Sequence, residues 1–319
     1  MKDKTDMPLR QEQTRPKRRS QLTAPVIRLV KEKPLGTVGG IIVLIMLVVG
    51  ILAHVLAPYG YNEIHLADQL EGPSDQYLLG TDNLGRDVLS RIIYGARVSI
   101  IVGLAGAAIN TIVATIIGLS GFFGGKTDII IQRFVDAVLC FPWLFLILTV
   151  MALLGQGMFQ VIMVLGITAG IRNSRVVRSA IMGIKENTYV YAARSIGAPT
   201  LRILRRHVLP NVMAPIIIIF TLMMGSAILA EATMSFLGFG IPPPIPTWGG
   251  MLSMEGRKYM LFSPGLAIWP GLALAIGVYG INMLGDALRD ILDPRLRGGL
   301  GRYGGMKVKK ATLKGKAKA

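Results

Sequence analysis

The side chains that most often carry out chemistry are few and scattered along this sequence. It contains a single cysteine, Cys140, and three widely separated histidines, His54, His65 and His207. One cysteine excludes an intrachain disulfide. No pair of carboxylates occupies a plausible cavity, so the sequence shows no set of residues that could carry out hydrolysis or a redox reaction. We therefore predict no catalytic residue, no metal site and no cofactor in this chain.

One short motif suggests nucleotide binding but is incomplete. Gly125-Lys126-Thr127 looks like the end of a phosphate-binding P-loop, which needs a glycine five residues before Gly125 and a preceding β-strand. Ser120 stands at that position, and an apolar run precedes the motif. We therefore expect no ATP site here.

A basic segment, residues 189–211, lies between two long apolar runs. Ala192 and Ala193 are small helix formers that allow another surface to approach the backbone. Gly197-Ala198-Pro199 is a turn signal, since glycine accepts positive φ and proline disfavours helix in the residue before it. The segment is therefore expected to form a docking element at one membrane face.

A second short helix is expected after this turn. Thr200 is predicted to cap it, and Pro210 marks the start of the next apolar run. Its basic face consists of Arg202, Arg205 and Arg206.

The composition indicates a polytopic membrane protein that is entirely α-helical. Hydrophobic residues make up 52% of the chain, and the mean hydropathy is +0.53. Windows of roughly 20 apolar residues, the length that a bilayer requires, carry no charge. They predict six transmembrane helices at about 35–57, 98–125, 137–154, 158–180, 208–230 and 262–284.

The net charge of +17 is a sign of topology rather than of nucleic-acid binding. Of 35 Lys and Arg residues, ten precede Pro34 and ten follow Asp286, outside the apolar windows. Cytoplasmic segments of membrane proteins are enriched in Lys and Arg. With both termini in the cytosol, 30 of the 35 basic residues lie inside, whereas the opposite orientation would place them outside.

The predicted organisation follows from these spans. A basic cytoplasmic tail, 1–33, precedes the first transmembrane helix and an extracytoplasmic segment, 34–96. Within 34–96, Asp82 is expected to cap an amphipathic helix lying on the outer membrane face. A core of five helices, 97–288, is followed by a second basic tail, 289–319.

Polar residues inside the apolar windows have two interpretations. Asn110, Thr111 and Thr115 could line a polar pathway, but bonding to neighbouring helices is the favoured interpretation. Glu231 follows an apolar window directly, where an ionised carboxylate is costly unless paired or hydrated. It is a candidate for the substrate pathway; otherwise it lies at the interface.

Three motifs resemble one transporter family. Segment 189–211 resembles the cytoplasmic EAA loop of permease subunits in ABC importers. Tyr191 stands where many family members carry Glu, and His207 stands where many carry Ile. In both respects the loop resembles the oligopeptide, dipeptide and nickel branch of the family. Segments 80–97 and 231–252 resemble further parts of the same branch. The matching loop residues are Tyr191, Ala192, Ala193, Arg194, Gly197, Ala198, Pro199, Arg202, Arg205, His207, Leu209 and Pro210.

The resemblance implies a type I ABC importer permease in a prokaryotic cell membrane. In that family a coupling helix, here about 189–206, docks on an ATP-binding subunit. The implied partners are a sister permease, two ATPase subunits that bind ATP and Mg, and an extracytoplasmic solute-binding protein. The loop carrying Trp248, Gly249 and Met251 would face that binding protein.

Several alternatives remain open from the sequence. The cargo could be peptides, nickel or another small solute. A secondary transporter that needs no ATPase would carry ions at the middle of the membrane, and these spans are nearly devoid of charge. The sequence does not contain the catalytic residues that an intramembrane enzyme would need.

Overall fold

The computed structural model describes residue 30 and residues 33–292, and this part of the chain is mostly helical. The tails predicted at 1–33 and 289–319 lie largely outside the described residues. In order the helices are α1 (Pro34–Ile51), α2 (Ala53–Leu56), α3 (Val88–Gly118), α4 (Ser120–Phe123), α5 (Gly125–Leu139), α6 (Trp143–Leu154), α7 (Met158–Lys185), α8 (Thr188–Ser195), α9 (Thr200–Ile203), α10 (Leu209–Phe236), α11 (Trp248–Met251), α12 (Arg257–Tyr259) and α13 (Gly265–Leu292). Two π-helical turns, Leu204–Val208 and Leu252–Gly256, and a 3₁₀ turn, Leu66–Asp68, complete the set.

The prediction of a separate amphipathic helix before the second span is wrong. Helix α3 runs without interruption through both, and Asp87, not Asp82, caps it by accepting a hydrogen bond from the Ser90 amide at 2.7 Å. Asp82 instead accepts bonds from the backbone amides of Leu84 and Arg86. At about 1.5 Å per residue, the 31 residues of α3 extend for about 46 Å.

The third predicted span, 137–154, is also wrong in its simple form. Helices α5 and α6 meet at an angle of 89° around Cys140–Pro142, so the span is broken. Helix α6 alone has 12 residues, about 18 Å, which is shorter than a bilayer core of about 30 Å. Pro142 is the N-cap of α6 and has no amide hydrogen with which to continue α5, which accounts for the break.

The remaining predicted spans coincide with long helices. By length and composition the described residues contain four helices able to cross a membrane, or five if the bent α5–α6 pair counts as one. Helix α7 is 28 residues long, but its second half carries Arg172, Arg175 and Arg178, and it is not apolar enough for that set. By length and composition alone, α7 is therefore not counted as a membrane span.

Small residues let the long helices pack closely. A Cβ on Gly166 of α7 would lie 2.6 Å from the Ile109 side chain of α3, and one on Gly170 would lie 2.6 Å from Val113. Helix α1 packs on α13 in the same way, since a Cβ on Gly39 would lie 2.6 Å from the Gly280 carbonyl oxygen. Close backbone approach through small residues is how membrane helices gain van der Waals contact.

The bundle has two distinct ends. The basic end contains residues 119–136 and 172–208, and the loop end contains residues 57–95 and 237–264. At the start of α1, Lys33 Nζ binds Asp290 Oδ2 of α13 at 2.6 Å. The described chain therefore enters and leaves the bundle at one point.

Candidate functional site

The basic end carries a helix–turn–helix element, residues 188–210. Helix α8 ends in a Schellman turn, because the Gly197 amide donates to Arg194 O at 2.9 Å and the Ala198 amide donates to Ala193 O at 3.1 Å. Gly197 has φ +77°, a conformation that glycine adopts without steric cost. The predicted helix break at this glycine is confirmed.

The segment after the turn differs from the expected separate helix. Thr200 is the first helical residue, and Pro199 stands at the cap without a side-chain hydrogen bond, so the predicted Thr200 cap is wrong. Helix α9 continues through the π turn Leu204–Val208 into α10. The second half of the element, from Thr200 onward, is thus continuous with the membrane-spanning helix α10.

One face of this element is anchored in the bundle. Val190, Ile203 and Val208 are almost completely buried in a cluster with Val177 and Ile181 of α7. Ala193 belongs to the same cluster and is 7% exposed. The small Ala193 side chain therefore lets α8 lie close to the bundle, and its predicted part in ATPase coupling stays a prediction.

The opposite face presents apolar side chains to the surroundings. Ile196 is 85% exposed at the tip of the turn, and Leu201 and Tyr191 are more than half exposed. Around them lie the exposed predicted residues Ala192, Arg194, Gly197, Pro199, Arg202, Arg205 and Pro210, with Ala198, His207 and Leu209 half-buried. Sequence reasoning missed Ile196 and Leu201, whose exposure a motif comparison does not reveal.

Ion pairs connect the helices α5 and α7 at the same end of the bundle. Asp128 of α5 accepts from Arg178 Nε of α7 at 2.8 Å and from Ser120 Oγ at 2.8 Å. One turn away on α7, Arg175 pairs with Asp136. The Arg194 guanidinium of α8 lies 5.3 Å from the centre of the Phe122 ring, within cation–π range. The ion pairs therefore join α5 to α7, and the Arg194–Phe122 contact joins the element to α4.

The loop end contains a buried network of four charged side chains. Arg86 donates from Nε to Asp82 at 2.7 Å and from Nη2 to Glu255 Oε1 at 2.8 Å. Arg91 lies 3.5 Å from both carboxylates. Burial raises the pKa of the Glu255 carboxyl, while Arg91 and Arg86 act in the opposite direction. The network joins the start of α3 to the π turn Leu252–Gly256, although the two are far apart in sequence.

The loop residues predicted to face a binding protein are buried. Trp248 is 3% exposed and donates from its indole nitrogen to Ile92 O at 3.1 Å, and Met251 packs with Val88. A Cβ on Gly249 would lie 2.4 Å from the Ala232 backbone. These three residues dock α11 against α3 and α10, and the orientation of their loop towards a binding protein stays a prediction.

The polar residues predicted within the spans mostly bond inside the bundle. Asn173 of α7 donates to Asn110 Oδ1 at 2.8 Å, and Asn110 is fully buried. Thr111 and Thr115 donate to carbonyls one turn earlier in α3. Glu231 is 1% exposed and accepts from Ser235 Oγ at 2.6 Å. Glu231 lies behind Ser235, which lines a cavity.

Comparison with known proteins gives the family. Residues 110–298 match the model of the binding-protein-dependent transport system inner membrane component. Residues 24–73 match the N-terminal transmembrane domain of oligopeptide transport permease C. The first match covers more than half of the chain. The chain belongs to this permease family.

Curated relatives of this permease extend over most of both chains. A putative peptide transport system permease protein of Brucella suis is 40% identical over 258 residues, 80% of this chain and 87% of the relative. The glutathione transport system permease protein GsiD of Pectobacterium atrosepticum is 39% identical, covering 81% and 86%. The oligopeptide transport system permease protein OppC of Bacillus subtilis is 37% identical, covering 84% and 88%.

A solved structure supports the fold of the permease. The chain resembles one from a crystal structure of inward facing conformations of the MetNI methionine ABC transporter. The TM-score is 0.52 and the identity 16%, covering 64% of this chain and 96% of that one. At this identity the likeness concerns the fold alone. The family match contains the whole element 188–210, whose buried and exposed faces are those described above.

Proposed function

We propose that this permease is a membrane-spanning subunit of an ATP-driven importer of small peptides. The observation that carries the proposal is the two-faced element 188–210, anchored by Val190 and Val208 and exposing Ile196 and Leu201. An exposed apolar group rimmed by arginines is typical of a protein interaction site. The printed names of the relatives, which refer to peptides, oligopeptides and glutathione, support peptides as the cargo class.

The partners follow from the same proposal. An ATPase subunit receives the exposed face of element 188–210, a sister permease completes the membrane path, and an extracytoplasmic solute-binding protein delivers the cargo. Two ATPase subunits hold the ATP and Mg, so this chain needs no cofactor of its own. Rigid tilting of α10, which is continuous with the element, would switch access between the two sides of the membrane.

The proposed topology has six spans and both termini in the cytosol, in a prokaryotic cell membrane. Helix α7 is the span that composition alone does not select, and its arginines lie at the basic end, where cytoplasmic charge is expected. The core domain, 97–288, then contains five spans, with the bent α5–α6 pair as one. The loop end faces outward.

A cross-linking experiment tests the docking proposal. In a Cys140→Ser background, which removes the exposed native thiol, Ile196→Cys should cross-link to the ATPase subunit in the assembled importer. Lys126→Cys is the matched control, because it is exposed at the same end but lies outside element 188–210. Equal cross-linking from both positions, or none from Ile196→Cys, would contradict the proposal.

The same background tests topology and the alternative of an ATPase-independent transporter. A membrane-impermeant maleimide applied from outside should label Ile245→Cys at the loop end and spare Ile196→Cys. Uptake by proteoliposomes should require both the ATPase subunits and ATP. Uptake by this chain alone would favour a secondary transporter.

A further inference from the structure

Helix α5 lies across the bundle rather than along it. Asp136, near the end of α5, pairs with Arg175 of α7, and Asp128, two turns earlier in α5, pairs with Arg178, one turn further along α7. At 1.5 Å per residue, the two ion pairs are about 12 Å apart along α5 but only about 4.5 Å apart along α7. Helix α5 therefore crosses α7 at a steep angle, as it does α6, which it meets at 89°.

The charges of α7 place this crossing at one edge of the membrane. Residues 158–171 of α7 carry no charge, and its three arginines follow at the basic end. Cationic side chains at the end of a span lie at the interface. Helix α6 carries no charge and leads from α5 to the loop end, where Gln156 donates to Gly238 O. Helix α6, lengthened by the non-helical residues at its two ends, therefore makes the crossing, and α5 lies in the plane of the membrane surface.

The side chains of α5 form three rows, and each row suits different surroundings. Residues three, four or seven positions apart share one side of a helix. The inner row is Asp128, Gln132, Val135 and Leu139; the charged row is Lys126, Ile129, Arg133 and Asp136; the apolar row is Ile130, Phe134 and Val138. A helix that lies beside a bundle at a membrane surface meets protein, headgroups and acyl chains, one on each side.

The charged row presents cations to the surroundings. The two carboxylates of α5 are engaged by arginines of α7, as described above. Lys126 has no acidic partner among residues 33–292, and Arg133 is 80% exposed and approaches Asp136 only to 3.8 Å. The free charge on this side of α5 is therefore positive. Exposed cations next to a membrane attract anionic lipid headgroups.

The apolar row continues onto the membrane-crossing helix. Ile130 and Phe134 are 69% and 57% exposed, and beyond the bend Phe141 and Phe145 are 62% and 71% exposed. Large apolar side chains exposed in this way gain most where acyl chains or another apolar surface cover them. Because the surface runs without a charge from Ile130 to Phe145 of α6 on this side, hydrocarbon that covers α6 also reaches α5.

We propose that α5 is an interfacial helix that binds anionic phospholipid in the inner leaflet of the membrane. Lys126 and Arg133 contact the phosphate-bearing headgroup, and Ile130 and Phe134 contact the acyl chains. The inference rests on the proposed topology, which puts the basic end in the cytosol. It adds a lipid to the permease's partners, on the side of α5 opposite the ion pairs with α7.

Fluorescence quenching in the assembled importer tests the acyl-chain contact. In the Cys140→Ser background, Ile130→Cys and Ile129→Cys are each labelled with bimane, in nanodiscs of phosphatidylcholine brominated on its acyl chains. The two neighbouring side chains are similarly exposed, 69% and 58%, but belong to different rows. We expect the lipid to quench the label of Ile130→Cys several-fold more strongly than that of Ile129→Cys.

The headgroup contact is tested with phosphatidylglycerol. A small fraction of brominated phosphatidylglycerol, or the same fraction of brominated phosphatidylcholine, is placed in unbrominated phosphatidylcholine around the labelled Ile130→Cys importer. Each cation near the surface should favour the anionic lipid about fivefold. Lys126→Gln with Arg133→Gln should therefore abolish the preference, and high salt should weaken it. Arg257→Gln with Lys258→Gln, which removes two exposed cations at the loop end, should leave it unchanged.

Each part of the inference has a result that would overturn it. Equal quenching of the two labels, or an unquenched Ile130→Cys that cross-links to the sister permease, would assign the apolar row to something other than lipid. A preference for phosphatidylglycerol that survives Lys126→Gln with Arg133→Gln, or no preference at all, would overturn the headgroup site.

Failure of this inference can be distinguished from failure of the proposed function, because the labels report contact with lipid and not transport. If the importer takes up peptide with ATP while Ile130→Cys stays unquenched, the lipid inference alone is wrong. If external maleimide labels Ile196→Cys, the proposed topology is wrong and α5 does not lie in the inner leaflet.

Discussion

Replacement of Gly197 by alanine isolates the contribution of the turn in element 188–210. Gly197 has φ +77°, and a Cβ added there would meet no atom within 4 Å, so the substitution introduces backbone strain without a clash. Holding a non-glycine residue in the left-handed region costs about 1–2 kcal/mol. That energy corresponds to a factor of about 5–30 in the ratio of the native turn to relaxed alternatives.

The assay is peptide transported per ATP hydrolysed in proteoliposomes that contain the complete importer. Gly197→Ala should lower this ratio, since a relaxed turn alters the position of α8 relative to α9. Gly197→Asn should retain more coupling than Gly197→Ala, because asparagine tolerates the left-handed conformation better.

Gly183 provides the matched control for this prediction. It is also exposed, and a Cβ there also meets nothing within 4 Å, but it lies within helix α7 and has no positive φ. Gly183→Ala should leave transport unchanged and stabilise the helix slightly, by about 0.5–1 kcal/mol. Full coupling in Gly197→Ala, or an equal loss in Gly183→Ala, would refute the reasoning.

Three predictions concern the interior of the bundle and are checked by thermal unfolding of the purified complex. Asp128→Ala removes the largely buried partner of Arg178 and should lower the free energy of unfolding by about 2 kcal/mol. Asp136→Ala removes a more exposed partner of Arg175 and should lower it by at most about 1 kcal/mol. Equal losses of stability would contradict this ranking. Gly249→Ala should destabilise by about 1–3 kcal/mol because its Cβ meets the backbone of α10, whereas Gly250→Ala meets only a hydroxyl at 3.0 Å and should be mild. Asn110→Ala should cost about 1 kcal/mol and leave uptake per folded complex unchanged; reduced uptake at normal stability would instead place Asn110 in the transport path.

The sequence predicted the long helices well because their signals are local. Charge-free windows define α1, α10 and α13, and the glycines of Gly155-Gln156-Gly157 divide α6 from α7 as expected, with positive φ at Gly155 and Gly157. The turn at Gly197 was equally predictable, since a glycine followed closely by a proline is a strong local signal for a turn.

The errors arose where local signals compete with packing. Asp82 and Asp87 are both plausible caps from the sequence, but Asp82 belongs to an ion network that reaches Glu255, 173 positions away, through Arg86. Trp248 follows a proline-rich loop and resembles a surface residue, yet it is buried because Gly95 of α3 leaves room for its ring. The docking face was only partly predictable, because Ile196 and Leu201 look like core residues until the position of the turn is known.

The ion pair between Lys33 and Asp290 has a practical consequence for engineering. Because Lys33, before α1, and Asp290, near the end of α13, are in contact, a short linker could join these positions without crossing the bundle. New termini could then be opened in an exposed loop, giving a circularly permuted transporter. Reporter proteins fused beside Lys33 and Asp290 would also sit close enough for energy transfer, and would lose that signal if α1 and α13 separated.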